Sequence, residues 1–233
     1  MATLKGEVFG RLSGKIGKVV ARRVNGKTVI SERPDHYKET TSEEAKNVRS
    51  RFSIAVEFSS YICSIALLKA VWNYNRKKHS NAFNMMQSFN IKSVGDNAPS
   101  LKNTITPRYI KSGNECVYPL SGINFNGLEI TAVFEGMDEL ISLHGKAAYY
   151  LQFVILYYEP KVRENEYFIM DQVEYQLDAS ESVEKLQINL STLQRDKAAL
   201  YNKAIVYSAA VVRERDNEKF YCSITFAKEF TLN

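Results

Sequence analysis

The side chains able to do chemistry are few and far apart. His36, His79 and His144 are the only histidines, and none has a second His, a Cys or a carboxylate at metal-ligand spacing on a shared element. Cys63, Cys116 and Cys222 form neither a CxxC nor a paired framework, which fits a reducing compartment. Cys63 lies inside an apolar helical run and reads as a small core residue. Gly10-Arg11-Leu12-Ser13-Gly14-Lys15-Ile16 approaches a phosphate-binding loop, but its glycines are one residue too close. Ile16 also stands where a hydroxyl must reach Mg²⁺. GxSxG, HExxH and the Rossmann fingerprint are absent, and Glu164/Glu166 and Asp138/Glu139 are expected in turns. The expectation is a protein that is not an enzyme and uses no metal or cofactor.

One group of residues does suggest a contact. Lys15, Lys18, Arg22, Arg23 and Lys27 fall within residues 1–30, which carry seven basic side chains against one acid, Glu7. Such a segment can lie on nucleic acid or on an acidic protein partner. It can equally be an edge hairpin that Lys and Arg keep soluble.

The elements that would carry these residues follow from pattern. Gly6, Gly10, Gly14 and Gly17 exclude a helix and imply a tight, turning strand segment. Residues 18–24 and 27–32 are β-rich runs joined by Asn25-Gly26, a strong hairpin signal, and Pro34 ends the second. Thr41-Ser42-Glu43-Glu44 has the form of a capping box. After it, Ala45, Val48, Phe52, Ala55 and Val56, then Ile62, Ile65, Leu68 and Trp72, recur at helical spacing. A helix reaching about residue 74 and bent near Ser59-Ser60 is expected. A second short helix over 80–89, capped by Ser80, comes next, and residues 94–107 read as loop.

From about Gly113 the texture changes. Runs rich in Val, Ile, Tyr and Phe cover 128–134, 147–158, 173–177, 185–190, 204–213 and 220–226. Asn126-Gly127, Glu159-Pro160 and Asp216-Asn217 are expected to separate them as turns. Tyr207/Ala209/Val211 reads as an alternating strand. The expected fold class is α+β: an N-terminal Gly-rich β-hairpin and long helix followed by an antiparallel immunoglobulin-like β-sandwich. It would be a sandwich without the disulfide, since the single Trp72 lies in the helix. Three segments result: a basic hairpin arm over 1–40, a helical segment and linker over 41–113, and a β-sandwich domain over 114–233.

Bulk composition agrees with that division. At 233 residues, with 45% hydrophobic and 24% charged residues, the chain is globular in character. Its formal charge of +5 conceals +12 in residues 1–113, with 20 basic and 8 acidic side chains, and −7 in residues 114–233, with 11 and 18. No run approaches the about 18 apolar residues of a membrane span, and the N-terminus lacks a secretory h-region. The Asn189-Leu190-Ser191 sequon therefore carries no weight.

The order of features resembles a family of uncharacterised bacterial and phage-encoded proteins. The residues that carry the resemblance are Gly10-x-x-Ser13-Gly14-Lys15-x-Gly17-x-Val19-Val20, Asn25-Gly26-Lys27 and Arg33-Pro34. They continue with Thr41-x-x-Glu44-Ala45-x-x-x-Arg49-x-x-Phe52, Asn81-x-Phe83 with Asn90, and Ala204-Ile205-Val206-Tyr207 with Ser223. Arg22-Arg23-Val24-Asn25 replaces the Trp-Lys-Gly often found at the hairpin turn. That family has no assigned activity. Similar Ser-Gly-Lys-x-Gly hairpins occur among tailed-phage structural proteins, so the resemblance implies a virion component (head, connector or tail accessory) assembled in the host cytoplasm. Its partners would be copies of itself and neighbouring assembly proteins, with no membrane. The alternatives are a nucleic-acid-binding module using the basic hairpin and a cell-surface, adhesin-like sandwich protein.

Overall fold

The computed structural model describes residues 2–3, 14–24, 27–33, 42–76, 81–108, 110, 113–144, 147–177, 184–214 and 219–232. The chain forms two compact units, Met1–Lys46 and Asn47–Asn233. It is an α+β protein whose named strands all pair antiparallel.

The first unit holds a four-stranded sheet in the order β1-β4-β3-β2. The strands are β1 (Ala2–Thr3), β2 (Gly14–Ile16), β3 (Val19–Val24) and β4 (Lys27–Glu32). The expected hairpin is present, with Val24 opposite Lys27 and Val19 opposite Glu32. Its turn, Asn25-Gly26, lies outside the described residues, as do Gly6, Gly10, Pro34 and Thr41. A second hairpin joins β2 to β3 through Gly17-Lys18. Gly17 sits at φ 57, a conformation a two-residue turn demands at its first central position and glycine adopts without cost.

Helix α1 (Glu43–Ser64) starts one residue later than the expected capping box. The Ala45 N–H donates to Ser42 Oγ at 3.3 Å, so Ser42 is the capping hydroxyl. The expected bend at Ser59-Ser60 is also displaced. Ser59 is buried in regular helix, and the break comes at Ile65, which is extended at φ −80, ψ 110. There the Ser64 hydroxyl donates back to the Tyr61 carbonyl at 2.6 Å, and Ile65 N–H reaches only as far as the Ile62 carbonyl. Helix α2 (Ala66–Asn75) leaves at 103° to α1, which lets Leu68, Val71 and Trp72 continue the buried stripe of Phe58 and Ile62 in a new direction. Helix α3 (Ala82–Asn90) is capped by Asn81, whose side chain accepts from the Phe83 N–H at 2.7 Å; the Ser80 expected there lies outside the described residues.

The stretch after α3 is irregular, as expected, yet it is tightly held. Asn90 Oδ1 accepts from the Thr104 N–H at 2.8 Å and from Asn103 Nδ2 at 3.1 Å. Thr225 Oγ1 accepts the N–H groups of Ile105 and Thr106, each at 3.0 Å. Side chains here stand in for a backbone ladder, which buried peptide groups require. The Trp72 indole N–H donates to the Ile105 carbonyl at 2.8 Å and joins the segment to α2.

Two sheets complete this unit. The smaller has the order β5-β6-β9, from β5 (Leu120–Phe125), β6 (Glu129–Phe134) and β9 (Lys185–Asn189). The larger has the order β11-β10-β7-β8, with β12 also on β10. Its members are β7 (Ala147–Pro160), β8 (Phe168–Leu177), β10 (Tyr201–Glu214), β11 (Phe220–Cys222) and β12 (Phe226–Thr231). Strand β5 and helices α4 (Met137–His144) and α5 (Thr192–Ala199) were not among the expected elements. Asp138 and Glu139 fall in the first turn of α4 rather than in a turn, where they oppose the helix dipole favourably. Glu159-Pro160 does not interrupt β7; Glu159 takes φ 57 within it. The expected strand over 220–226 is two strands, because Ser223 and Thr225 leave the ladder. Ser223 Oγ takes the Ala210 N–H at 3.0 Å, and Thr225 serves the 104–106 segment.

The simple alternation expected around Tyr207 is corrected as well. Every side chain over residues 204–212 is buried. Ile205, Tyr207 and Ala209, with Val154 and Leu156 of β7, share a core with Phe58, Ile62, Leu68, Trp72 and Met86 of the helices. Ala204, Val206 and Ala210, with Phe153 and Ile155, share another with Ile123, Phe125, Ile130 and Leu186 of the small sheet. The larger sheet is thus a middle layer covered on both faces. A strand buried twice loses its polar alternation.

Candidate functional site

The five cations singled out by sequence stand exposed on the hairpin unit, but they do not form one cluster. Lys15 lies opposite Val20, Arg22 opposite Val29, and Lys27 opposite Val24. Because side chains alternate along a strand and paired residues share a face, Lys15, Arg22 and Lys27 occupy one face. Arg23, opposite Thr28, occupies the other face, that of the buried Ala21. Lys18 is in the turn, where its carbonyl accepts the Arg33 N–H at 2.7 Å. Among the described residues, the ion pairs involve Lys46, Lys197, Lys203 and Lys219, and none engages Lys15, Arg22, Arg23 or Lys27.

The larger unit carries a groove of about 530 Å³ at the outer edge of β8. Its walls are Glu57, Ser60, Tyr61 and Ser64 of α1, Glu166 ahead of β8, Ile169 and Met170 of β8, and Lys197 of α5. Helix α5 is set by Ser191 and Gln194, which cap it reciprocally. Its Lys197 Nζ meets both oxygens of Asp171, at 2.9 and 3.0 Å, so this cation is already occupied. The remaining charge is that of Glu57 and Glu166. Partial burial, then the neighbouring Glu166 charge, raise the pKa of Glu57 above its ordinary value. Burial and the Asp171 charge push the Tyr61 phenol up. Fully buried Tyr157 has a hydroxyl without a hydrogen-bond partner, and after desolvation the charges of Asp171 and Tyr61 act on it most. Sequence reasoning placed Glu166 in a turn with no pocket. No local spacing could have joined residues 57, 166 and 197, which meet only because α1 and α5 flank the same edge strand.

Two further clusters complete the survey. A cleft of about 430 Å³ is bounded by residues 95–102 and by Tyr158, Tyr167, Ile205 and Glu229, with the Tyr158 hydroxyl bonded to Glu229. At the other end of β7, the His144 ring lies 4.4 Å from that of Tyr221, whose O–H donates to Glu214 at 2.5 Å. That bond to Glu214, ahead of desolvation, raises the Tyr221 pKa to about 12, while burial lowers that of His144. His36 and His79 lie outside the described residues. Cys63 is half-buried at the margin of the helical core, as a small packing residue. Cys116 N–H donates to the Cys222 carbonyl at 3.1 Å, and burial pushes both thiols up, Cys222 to about 12, so neither is a thiolate at neutral pH. Among the described residues, no three His, Cys, Asp or Glu side chains are grouped to hold a metal ion. No single helix there is long and apolar enough to cross a membrane. Comparison with protein-family models, curated proteins and solved structures gives no match to this chain.

Proposed function

We propose that this chain is a non-enzymatic assembly protein, present in several copies and contacting both itself and neighbouring proteins of a larger particle. The tailed-phage virion implied by the N-terminal resemblance is the setting. The observation that carries the reading is the start of α1. Residues 43–53 are exposed apart from half-buried Ala45, and Val48 and Phe52 are 66% and 50% exposed. Ala45, Val48 and Phe52 belong to the same stripe that becomes core at Ala55 and Ile62. A stripe that is core at one end and in water at the other calls for a second surface. A second copy running antiparallel would complement it, since Glu43 and Glu44 precede Arg49 and Arg51 along the helix.

The finer fold reading belongs to the same proposal. Taking the strands from β5 onward in chain order, the first, second and fifth make one sheet. The fourth, third, sixth and the split last strand make the other. That order supports an immunoglobulin-like sandwich, with the helices laid over one of its outer faces.

The test is sedimentation of the full chain and its recovery in purified particles. Val48→Asp with Phe52→Asp should leave the fold intact and abolish both self-association and incorporation. Unchanged behaviour of the double variant, with wild type a monomer absent from particles, overturns the reading. A second reading, binding to nucleic acid, draws on the shared face of Lys15, Arg22 and Lys27. It requires affinity that falls with salt and loses slope when these three are neutralised.

A further inference from the structure

The larger sheet ends on β8, which pairs with β7 on one side and, among the described residues, with no strand on the other. An edge strand of 10 residues is normally blunted by a bulge, a proline or a lysine. Strand β8 has none of these. Its register against β7 runs unbroken from Phe168 to Leu177, and its charged side chains are Asp171 and Glu174. Helix α5 covers only part of this edge: Lys197 holds Asp171, and Gln194 Nε2 donates to the Gln172 carbonyl at 3.0 Å.

That last bond shows which backbone groups point outward. In an antiparallel strand the N–H and C=O of one residue lie on the same side, and successive residues alternate. The Gln172 carbonyl points away from β7, so the backbone groups of Glu174 and Gln176 do too. The Val173 carbonyl agrees, since it accepts from Gln152 Nε2 of β7 at 3.4 Å. Glu174 and Gln176 are exposed, and among the described residues no hydrogen bond engages their outward backbone groups.

The side chains past α5 select the mate. Val173, Tyr175 and Leu177 share the face that packs on the small-sheet core, and Glu174 and Gln176 share the other. In an antiparallel pair centred on Tyr175, Val173 meets Leu177, Tyr175 meets Tyr175, and Glu174 meets Gln176. The first two pairs are apolar and aromatic, and in the third an amide donates to a carboxylate. Centring on Glu174 instead would oppose two carboxylates and reach Gln172, which Gln194 already holds. The segment is therefore complementary to itself in one register.

We propose that residues 173–177 of β8 pair antiparallel with the same residues of a second copy across a two-fold axis at Tyr175, joining the larger sheets of two bodies. The inference rests on the assembly reading above and goes past it. The α1 contact closes on itself, whereas a second self-complementary contact carries assembly beyond the dimer. An edge this short is weak alone, and it forms between copies that α1 has already brought together.

A cysteine and a proline test it. Tyr175 opposite Tyr175 is a non-hydrogen-bonded pair, whose Cα atoms stand about 4.5 Å apart, within reach of a disulfide. Tyr175→Cys should give a covalent dimer on mild oxidation. Glu174→Cys, whose mate across the axis is Gln176, should not, and neither should wild type, whose three cysteines are not exposed. Gln176→Pro removes an outward N–H that β7 does not use, so its circular dichroism melt should match wild type. By sedimentation velocity its association beyond the dimer should weaken by about tenfold or more. If Tyr175→Cys stays uncrosslinked, or folded Gln176→Pro sediments as wild type does, while wild type self-associates, the β8 contact is overturned and the assembly reading stands. If the wild type does not self-associate, this contact is overturned, and the assembly reading falls with it only if the chain is also absent from particles.

Discussion

Strands β3 and β10 are both antiparallel and both flanked by partners, yet they live in opposite conditions. In β10 all side chains over 204–212 are buried between two layers. In the unit containing β3, Ala21 is the only buried side chain among those described. The middle strand of the body is held by its own core. The described residues of the hairpin sheet bury little apolar surface, and a small sheet draws its stability from a packed face. The comparison teaches that the body is held by its own core, whereas the described hairpin strands leave most of their side chains open to water.

The largest effect expected from this contrast comes from the body. Trp72→Ala removes a fully buried ring and strands the Ile105 carbonyl, and should cost about 3–5 kcal/mol in urea unfolding. Val24→Ala in the hairpin, at a side chain 46% exposed, should move the same transition by no more than about 0.5 kcal/mol. Equal effects would erase the distinction. Next, Asn90→Ala should cost about 1–3 kcal/mol, because it orphans the Thr104 N–H and an Asn103 donor in a buried segment. Amide exchange sharpens the comparison without mutation. The β3 amides should exchange quickly in the isolated chain and slow on assembly, while those of β10 stay protected in both.

The smallest effect is a pH dependence. Burial favours the neutral imidazole of His144, so its folded pKa lies below 6.5. The stability this group contributes is complete above pH 6.5 and is lost as the pH falls through the lowered value. His144→Phe, which keeps a ring against Tyr221, should flatten the melting temperature below pH 6.5. An unchanged profile would place the dependence on another group.

What could be read from the sequence was what neighbouring residues decide. The Asn25-Gly26 hairpin, the apolar stripe of α1 and α2 and the long strands around 150 and 207 all announce themselves through local period. What escaped was decided at long range. The burial of β10 on both faces depends on helices from a different third of the chain, so its apolar run imitated a half-exposed strand. Helix α5 was concealed because its inward contact rests on Ala198 alone, with no stripe to detect. The register of β3 against β2 and β4 separated Arg23 from Arg22, a division invisible to a count of charges. The edge groove joins residues more than a hundred positions apart, and composition said only that acid and base were unevenly shared.

The Thr225 hydroxyl, which accepts two N–H groups from residues 105 and 106, also constrains how the molecule is made. The contact joins positions about 120 residues apart and immediately precedes β12, which pairs with residues 203–208 of β10. Contacts of such separation cost chain entropy before they return anything, so a body built on them is expected to fold more slowly than one built on local contacts. Until β12 is paired, the 203–208 edge of β10 stays open, and a strand whose side chains are buried over 204–212 in the finished body has an unpaired edge. An open β edge of this kind is a template for pairing with another chain, and β12 is the element that closes it.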